Sequence, residues 1–296
     1  MGDEDIMLTF REITFDDYAP LQDFFYRAEG HGSEYSFVNV TAWGDQRVFF
    51  WQDKPLILSR FGSWQAYLYP TDPALIEPLR ADARERGIAL RFWGVNAREA
   101  QQLQALGFSV RPARNSFDYV YDIERLCELK GKKLQSKRNH CNRFALEHPD
   151  CRIEVLTADR LEQCKDFLER WYAEHEAVSD TDYSAEKCAI AHTMKHFDAM
   201  GMEGLMLFTS EGLAAFCMGN RIRRDMFDVN YEKALSDIHG AYPTINRAFA
   251  RYIHEKYPEV RRINREDDMG IEGLRKAKES YYPDLLLEKF VAEEAV

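Results

Sequence analysis

The sequence predicts an α/β (α+β) chain of two tandem domains, each a mixed central sheet flanked by helices. Three observations predict it. The 296 residues suggest two cores, since domains cluster at about 100 to 200 residues. Apolar runs of period two, which suit strands, alternate with runs of period 3.6, which suit helices. The order of these runs in the first half of the chain returns in the second.

In the first half, Leu8 to Ile13 reads as a strand, and Thr14 caps a helix carrying Tyr18, Leu21, Phe24 and Phe25. Strands at Val48 to Trp51 and Leu56 to Phe61 flank a turn at Asp53-Lys54-Pro55. A strand at Gln65 to Tyr69 precedes a helix with Asp72 as cap and Pro73 at its first position. Ala89 to Val95 is the next strand. The helix after it has Asn96 as cap, Glu99 as capping-box partner and Gly107 as its stop.

The second half replays this. Ile153 to Leu156 is a strand, and Thr157 caps a helix with Leu161, Cys164, Leu168, Trp171 and Tyr172 on one face. A helix at Ser184 to Met200 precedes strands at Leu205 to Thr209, Leu213 to Arg221 and Met226 to Tyr231. Phe227, Val229 and Tyr231 alternate with Asp228 and Asn230, so the last strand has one apolar and one polar face. Pro243 opens a helix, and strand Val260 to Asn264 and helix Gly273 to Ser280 complete the copy. The expected domains are an N-terminal scaffold at 1–118 and a catalytic domain at 151–296. Between them, 119–150 reads as a basic linker of two helices broken at Gly131, with Asp122 as a cap.

The formal charge is −11, which argues against nonspecific coating of nucleic acid or anionic membrane, because both need a positive field. The charge is uneven: KGKKLQSKRNHCNR at 130–143 holds six cations, among them Lys133, Lys137 and Arg138, and no acid. A solvated helix face and a seat for RNA or nucleotide phosphate both fit this island. No apolar run approaches the roughly 18 residues of a bilayer span, so integral membrane association is not expected. The N-terminal MGDEDIMLTF is acidic where a secretory signal is basic. Six cysteines without paired short spacing are expected as reduced thiols of a cytoplasmic protein. His192 and His196, one turn apart, lack the glutamate of the zincin motif, so no metal site is expected. No Gly-x-Ser-x-Gly elbow and no Walker loop occurs, which removes support for serine hydrolase and P-loop NTPase readings.

The most distinctive stretch is NREDDMGIEGLRKAKESYYPD, Asn264 to Asp284. Glu266, Asp267, Asp268 and Glu272 follow a strand, and Arg275, Lys276 and Lys278 lie on the next helix. Spacing alone fits a solvated loop whose acids favour the helix N-terminus. However, GLRKAKESYYP resembles the motif near the end of the catalytic domain of bacterial phosphatidylglycerol lysyltransferases. GKKLQSKRNHCNRF at 131–144 and YEKALSDIHGAY at 231–242 extend the resemblance to soluble relatives of that domain. Each half also resembles the GNAT acyltransferase fold in element order, and the tandem arrangement is distantly similar to the Fem enzymes.

The resemblance implies an acyl- or aminoacyltransferase, with aminoacyl-tRNA or acyl-CoA as co-substrate, no tightly bound cofactor and no DNA partner. The acceptor would be a small-molecule or aminoacyl amine or hydroxyl, and tRNA a partner. By position, Arg275, Lys276 and Lys278 become donor-anion contacts, joined by Lys133, Lys137 and Arg138 of the basic island. Ala277 stands where the lysyltransferases carry an aromatic, which puts the donor geometry in question. The GNAT pyrophosphate loop, rich in glycine, is absent before both corresponding helices: Tyr69 to Pro73 has no glycine, and Asp237 to Pro243 has one. Aminolysis needs a base, oxyanion donors and an acid. Glu232 or Glu266 is the expected base and Tyr242 or Tyr281 the expected acid, with Asn230, Asn264, Asp267 and Asp268 contacting substrate. The competing reading is a non-catalytic binding module on a degenerate transferase fold, recognising nucleotide, tRNA or a protein.

Overall fold

The structure, a computed structural model, describes residues 7–176 and 182–294; most of the acidic N-terminal stretch lies outside them. The chain begins with β1 (Arg11–Glu12), α1 (Tyr18–Arg27), α2 (Phe37–Ala42), β2 (Asp45–Trp51), β3 (Lys54–Phe61), β4 (Trp64–Leu68), α3 (Ile76–Arg86) and β5 (Arg91–Val95). It continues through α4 (Ala97–Ala105), β6 (Phe108–Pro112), β7 (Asp118–Asp122), α5 (Ile123–Glu128), α6 (Gln135–Glu147), β8 (Arg152–Val155), α7 (Leu161–Glu176) and α8 (Ser184–Lys195). β9 (Glu203–Thr209), β10 (Gly212–Arg223), β11 (Met226–Ala234), α9 (Ala241–Lys256), β12 (Arg262–Asn264), α10 (Glu272–Glu279), β13 (Leu285–Leu287) and β14 (Phe290–Glu294) follow.

Three of the local signals act as expected, whereas Thr157 makes no side-chain capping bond and the helix expected from Pro243 begins at Ala241. Asn96 and Glu99 form a capping box on α4, Asp122 caps α5, and Asp72 accepts from the Ala74 N–H at the turn before α3.

Two compact units result: residues 1–118 joined by 287–296, and residues 119–286. The first sheet runs β1-β2-β3-β4-β5-β14-β6, and the second, from its far edge, runs β8-β9-β10-β11-β12-β7-β13. The two orders are the same, and so are the parallel pairs, β4 with β5 and β11 with β12. Each sheet takes its sixth strand from the other copy: β7 follows β6 along the chain but sits in the second sheet, and β14 follows β13 but sits in the first.

This exchange makes the start of the expected linker a strand and places 119–150 within the second unit, while the two expected helices, with Asp122 as cap, are α5 and α6. Tyr119, Val120 and Tyr121 are buried, and Val120, Tyr121 and Asp122 pair with β12 some 140 residues on, Tyr121 opposite Ile263. A strand with so remote a partner leaves no local periodicity to read, and β14 was missed for the same reason.

In the second unit, Leu205, Leu207, Ala215, Cys217, Phe227 and Val229 form the sheet side of a core closed by residues of α5, α6 and α9. Each buried Leu, Val or Phe among them contributes about 1.5 to 3 kcal/mol. In the first unit, Leu56, Leu58, Tyr67 and Phe92 pack on Leu79, Ala83 and Leu103. The cysteines are free, and four of the six are buried.

The first unit also buries an ion cluster where the exchanged strands begin. The Lys289 ammonium, just before β14, lies 2.6 Å from Asp118 at the start of β7 and 2.6 Å from Glu34. Ser33 donates its backbone N–H to Asp118 at 2.7 Å. Gly32 must be glycine, because a Cβ there would sit 2.2 Å from an Asp118 oxygen. Lys289→Met leaves two buried carboxylates facing each other. It is expected to cost about 3 to 5 kcal/mol, measured by urea denaturation; an unchanged midpoint would contradict the assignment.

Candidate functional site

β11 pairs with β12 only over Met226–Asp228, although β11 runs on to Ala234. After Asn264 the chain follows β7 instead, with the Arg265 N–H donating to the Tyr119 carbonyl. The two parallel strands therefore splay at their carboxyl ends, which is where open sheets hold ligands.

A β-bulge lies at the splay. Met218 stands opposite Tyr231 and Asn220 opposite Asp228, so Val229 and Asn230 together face the single residue Gly219. Only glycine fits, because a Cβ at 219 would lie 1.9 Å from the Asp228 carbonyl oxygen. Phe227 and Val229 pack in the core with α9. Past the bulge, Glu232 takes that side, accepting from Asn246 of α9 at 2.7 Å. Tyr231 reaches Thr193 of α8 at 3.2 Å, and Lys233 pairs with Glu186 of α8 at 2.8 Å. The alternation expected to put Tyr231 with Phe227 and Val229 is thus broken, because one extra residue reverses the faces that follow.

Glu232 also accepts from the Arg265 guanidinium at 2.8 Å, and both side chains are about nine-tenths buried, with 9% and 11% exposure. Arg265 lies 4.8 Å from the centre of the Tyr281 ring, and the Lys137 ammonium lies 4.4 Å from the same ring. Burial, then the charge of Arg265, lowers the Lys137 pKa. Burial raises that of the Tyr281 hydroxyl. Glu232, Tyr281 and Lys137, read separately in the sequence, thus meet in one cluster. Arg265 and Asn246 were missed; the available signal was a lone cation inside the acidic run after a strand.

Glu266 lies elsewhere. It adopts a left-handed backbone, φ +56°, with its N–H bonded to the Asn264 side chain. Its carboxylate accepts from Asn230 at 3.2 Å, and Asn230 also donates to Asp228. Asp267 accepts from the Met269 N–H in a tight turn. Asp268 is buried and accepts from Arg275 at 2.9 and 3.0 Å and from the Tyr119 hydroxyl at 2.6 Å. Burial disfavours its charge, but these bonds and one from the Gly270 N–H outweigh that and hold the carboxyl well below the usual range.

The cations expected to hold an anionic donor are placed unequally. Arg275 is fastened to Asp268. Lys276 pairs at the surface with Glu272. Lys278 is buried and donates to the carbonyls of Arg265 and Asp267, clamping the loop that carries Arg265. Arg138 donates to the Leu129 carbonyl just past α5. Lys133 lies 5.3 Å from the Tyr282 ring. The Tyr242 hydroxyl accepts from Trp171 at 3.3 Å, and burial pushes it up to about 12.

The loop before α9 is covered by α6: a Cβ at Gly240 would come within 2.6 Å of the His140 carbonyl oxygen and 3.0 Å of Phe144. His140 and His239 share a hydrogen bond at 2.9 Å beside it. In the first unit, the Tyr69 carbonyl accepts from Tyr35 at 2.6 Å, and Lys54 pairs with Asp72. Among the described residues no group of three or more His, Cys, Asp or Glu is placed to hold a metal.

Because the Asp268 pKa is lowered by folding, its contribution is complete above the ordinary carboxylate range and is lost as the pH falls below about 4. Asp268→Asn should therefore lose less stability than the parent between pH 7 and pH 3 in denaturant titrations. Parallel pH profiles would contradict this.

Comparison with known proteins matches residues 26–293 to the family model described as phosphatidylglycerol lysyltransferase, C-terminal. The chain resembles the crystal structure of a conserved protein of unknown function from Bacteroides thetaiotaomicron, with TM-score 0.91 and 32% identity over 98% of this chain and 100% of that one. L-PGS from Bacillus licheniformis matches with TM-score 0.63 and 15% identity over 92% of this chain and 90% of that one. A tandem GNAT protein from the clavulanic acid biosynthesis pathway matches with TM-score 0.51 and 13% identity over 98% and 99% of the two chains. The fold is therefore tandem GNAT-like. An uncharacterised protein of Mycoplasmoides gallisepticum is 24% identical over 180 residues, 60% of this chain and 56% of that protein, so the match spans little more than half of that relative's length.

Proposed function

The chain belongs to the phosphatidylglycerol lysyltransferase C-terminal family, and from that premise we propose that its second unit transfers an aminoacyl group from an activated ester to an amine or hydroxyl acceptor. The observation that carries this reading is the Glu232, Asn246 and Arg265 cluster at the splayed end of β11 and β12. The acceptor attacks the ester carbonyl carbon, Glu232 takes the acceptor's proton, and the ester oxygen leaves as a hydroxyl after receiving a proton from Tyr281. Glu266, held by Asn230, is the alternative base, and Tyr242 the alternative acid. Rate enhancement comes mainly from positioning and from fixed donors at the developing oxyanion.

The packing of α6 on Gly240 favours aminoacyl-tRNA over acyl-CoA, because it covers the helix terminus that a pyrophosphate would approach. Lys137 on α6 and Lys133 just before it, which have no carboxylate partner among the described residues, suit RNA phosphates. Such a donor puts the reaction in the cytoplasm. No helix among the described residues is long and apolar enough to cross a membrane, which suits a small-molecule acceptor.

Offering a charged tRNA pool and an acyl-CoA panel separately tests this. Acceptor-dependent loss of the ester is expected, and Glu232→Gln should slow it about 10²- to 10⁴-fold. Thioester loss alone would replace the donor. No turnover with either would favour the binding-module reading.

A further inference from the structure

The cluster at the splay is unbalanced in charge and in hydrogen bonding. Lys137 and Arg265 approach the same Tyr281 ring, and Glu232 is the one carboxylate among the groups that act electrostatically on Lys137. Arg265 gives Nη2 to Glu232, while its Nη1 is enclosed beside Tyr121 with no partner at ordinary hydrogen-bond distance. A guanidinium offers donors in a fixed fork that matches two oxygens of one oxyanion, and leaving such a donor buried and unmade is costly. Three other cations of the region are committed elsewhere: Arg275 to Asp268, Lys278 to carbonyl oxygens and Arg138 to the Leu129 carbonyl. Lys137, half-buried on α6, has no carboxylate partner among the described residues and lies against the Tyr281 ring.

We propose that Arg265 and Lys137 form an oxyanion subsite beside Glu232, filled by a phosphate or carboxylate group of a bound substrate, and that this anion competes with Glu232 for the Arg265 guanidinium. Its arrival on the Nη1 side and at Lys137 balances the second positive charge and loosens the ion pair that holds the Glu232 carboxylate. Glu232 is then released toward the acceptor only when a substrate is in place. Arg265 thus contacts the substrate's anion and, through its ion pair, sets the position of Glu232. The link to transfer rests on the reading of this opening as the transfer site; the subsite itself does not, and it is tested without turnover.

The test is calorimetric titration of the full chain with inorganic phosphate, adenosine 5′-monophosphate and acetate at low salt. Removing the competing carboxylate with Glu232→Gln should tighten anion binding about tenfold, the scale of one charge-assisted hydrogen bond. Lys137→Met, at a half-exposed position, should weaken it by a similar factor while leaving the thermal midpoint within a few degrees. Binding of the phosphate probes alone assigns a phosphate group, and binding of acetate as well assigns any carboxylate or phosphate. The proposal is overturned if no probe binds the parent, or if folded Glu232→Gln binds no more tightly. A tightened Glu232→Gln with no transfer activity in the parent would keep the subsite and remove the transferase reading.

Discussion

The site depends on one backbone constraint, the close approach of Gly219 to the Asp228 carbonyl. A side chain at 219 would push β10 away and iron out the bulge opposite it. The residues beyond would then return to strict alternation, and Glu232 would turn from α9 toward α8. Its ion pair with Arg265 and its bond from Asn246 exist because two residues of β11 oppose one of β10. The bulge also lies where β11 parts from β12, so the same irregularity opens the sheet and re-aims the carboxylate.

Charge is handled differently in the two units. The first encloses Lys289 between two carboxylates and seals the loop before α3 with its own groups. In the second, Asp268 and Arg275 fix the turn after β12 and Lys278 clamps the residues leading into it. Those contacts hold Arg265 in place, so Asp268 of the acidic run serves as part of the mounting of the cluster.

What was legible in the sequence was local. Caps at Asp72, Asn96 and Asp122 each need only a side chain and an N–H two or three residues away, and the periodic helices α7 and α9 were equally plain. β7 and β14 were not, because each owes its place to strands far along the chain. The bulge was illegible for a related reason: it is a property of register between two strands, not of either alone. At the site, Glu232, Tyr281 and Lys137 were visible as residue types. Arg265 was hidden because the surrounding acids dominated the reading of that stretch, and Asn246 sits among the apolar positions of an amphipathic helix.

The strand exchange sets an order of events during synthesis. β14 completes the first sheet between β5 and β6, and Phe290 pairs with Val95, nearly two hundred residues earlier in the chain. Until Phe290–Glu294 leaves the ribosome, β5 and β6 present unpaired edges, of the kind that template wrong pairings. So long a loop must be closed before its contacts stabilise anything, which slows folding. The first unit to be translated is therefore the last to finish folding, and the nascent chain must protect half a sheet while the whole second unit is made.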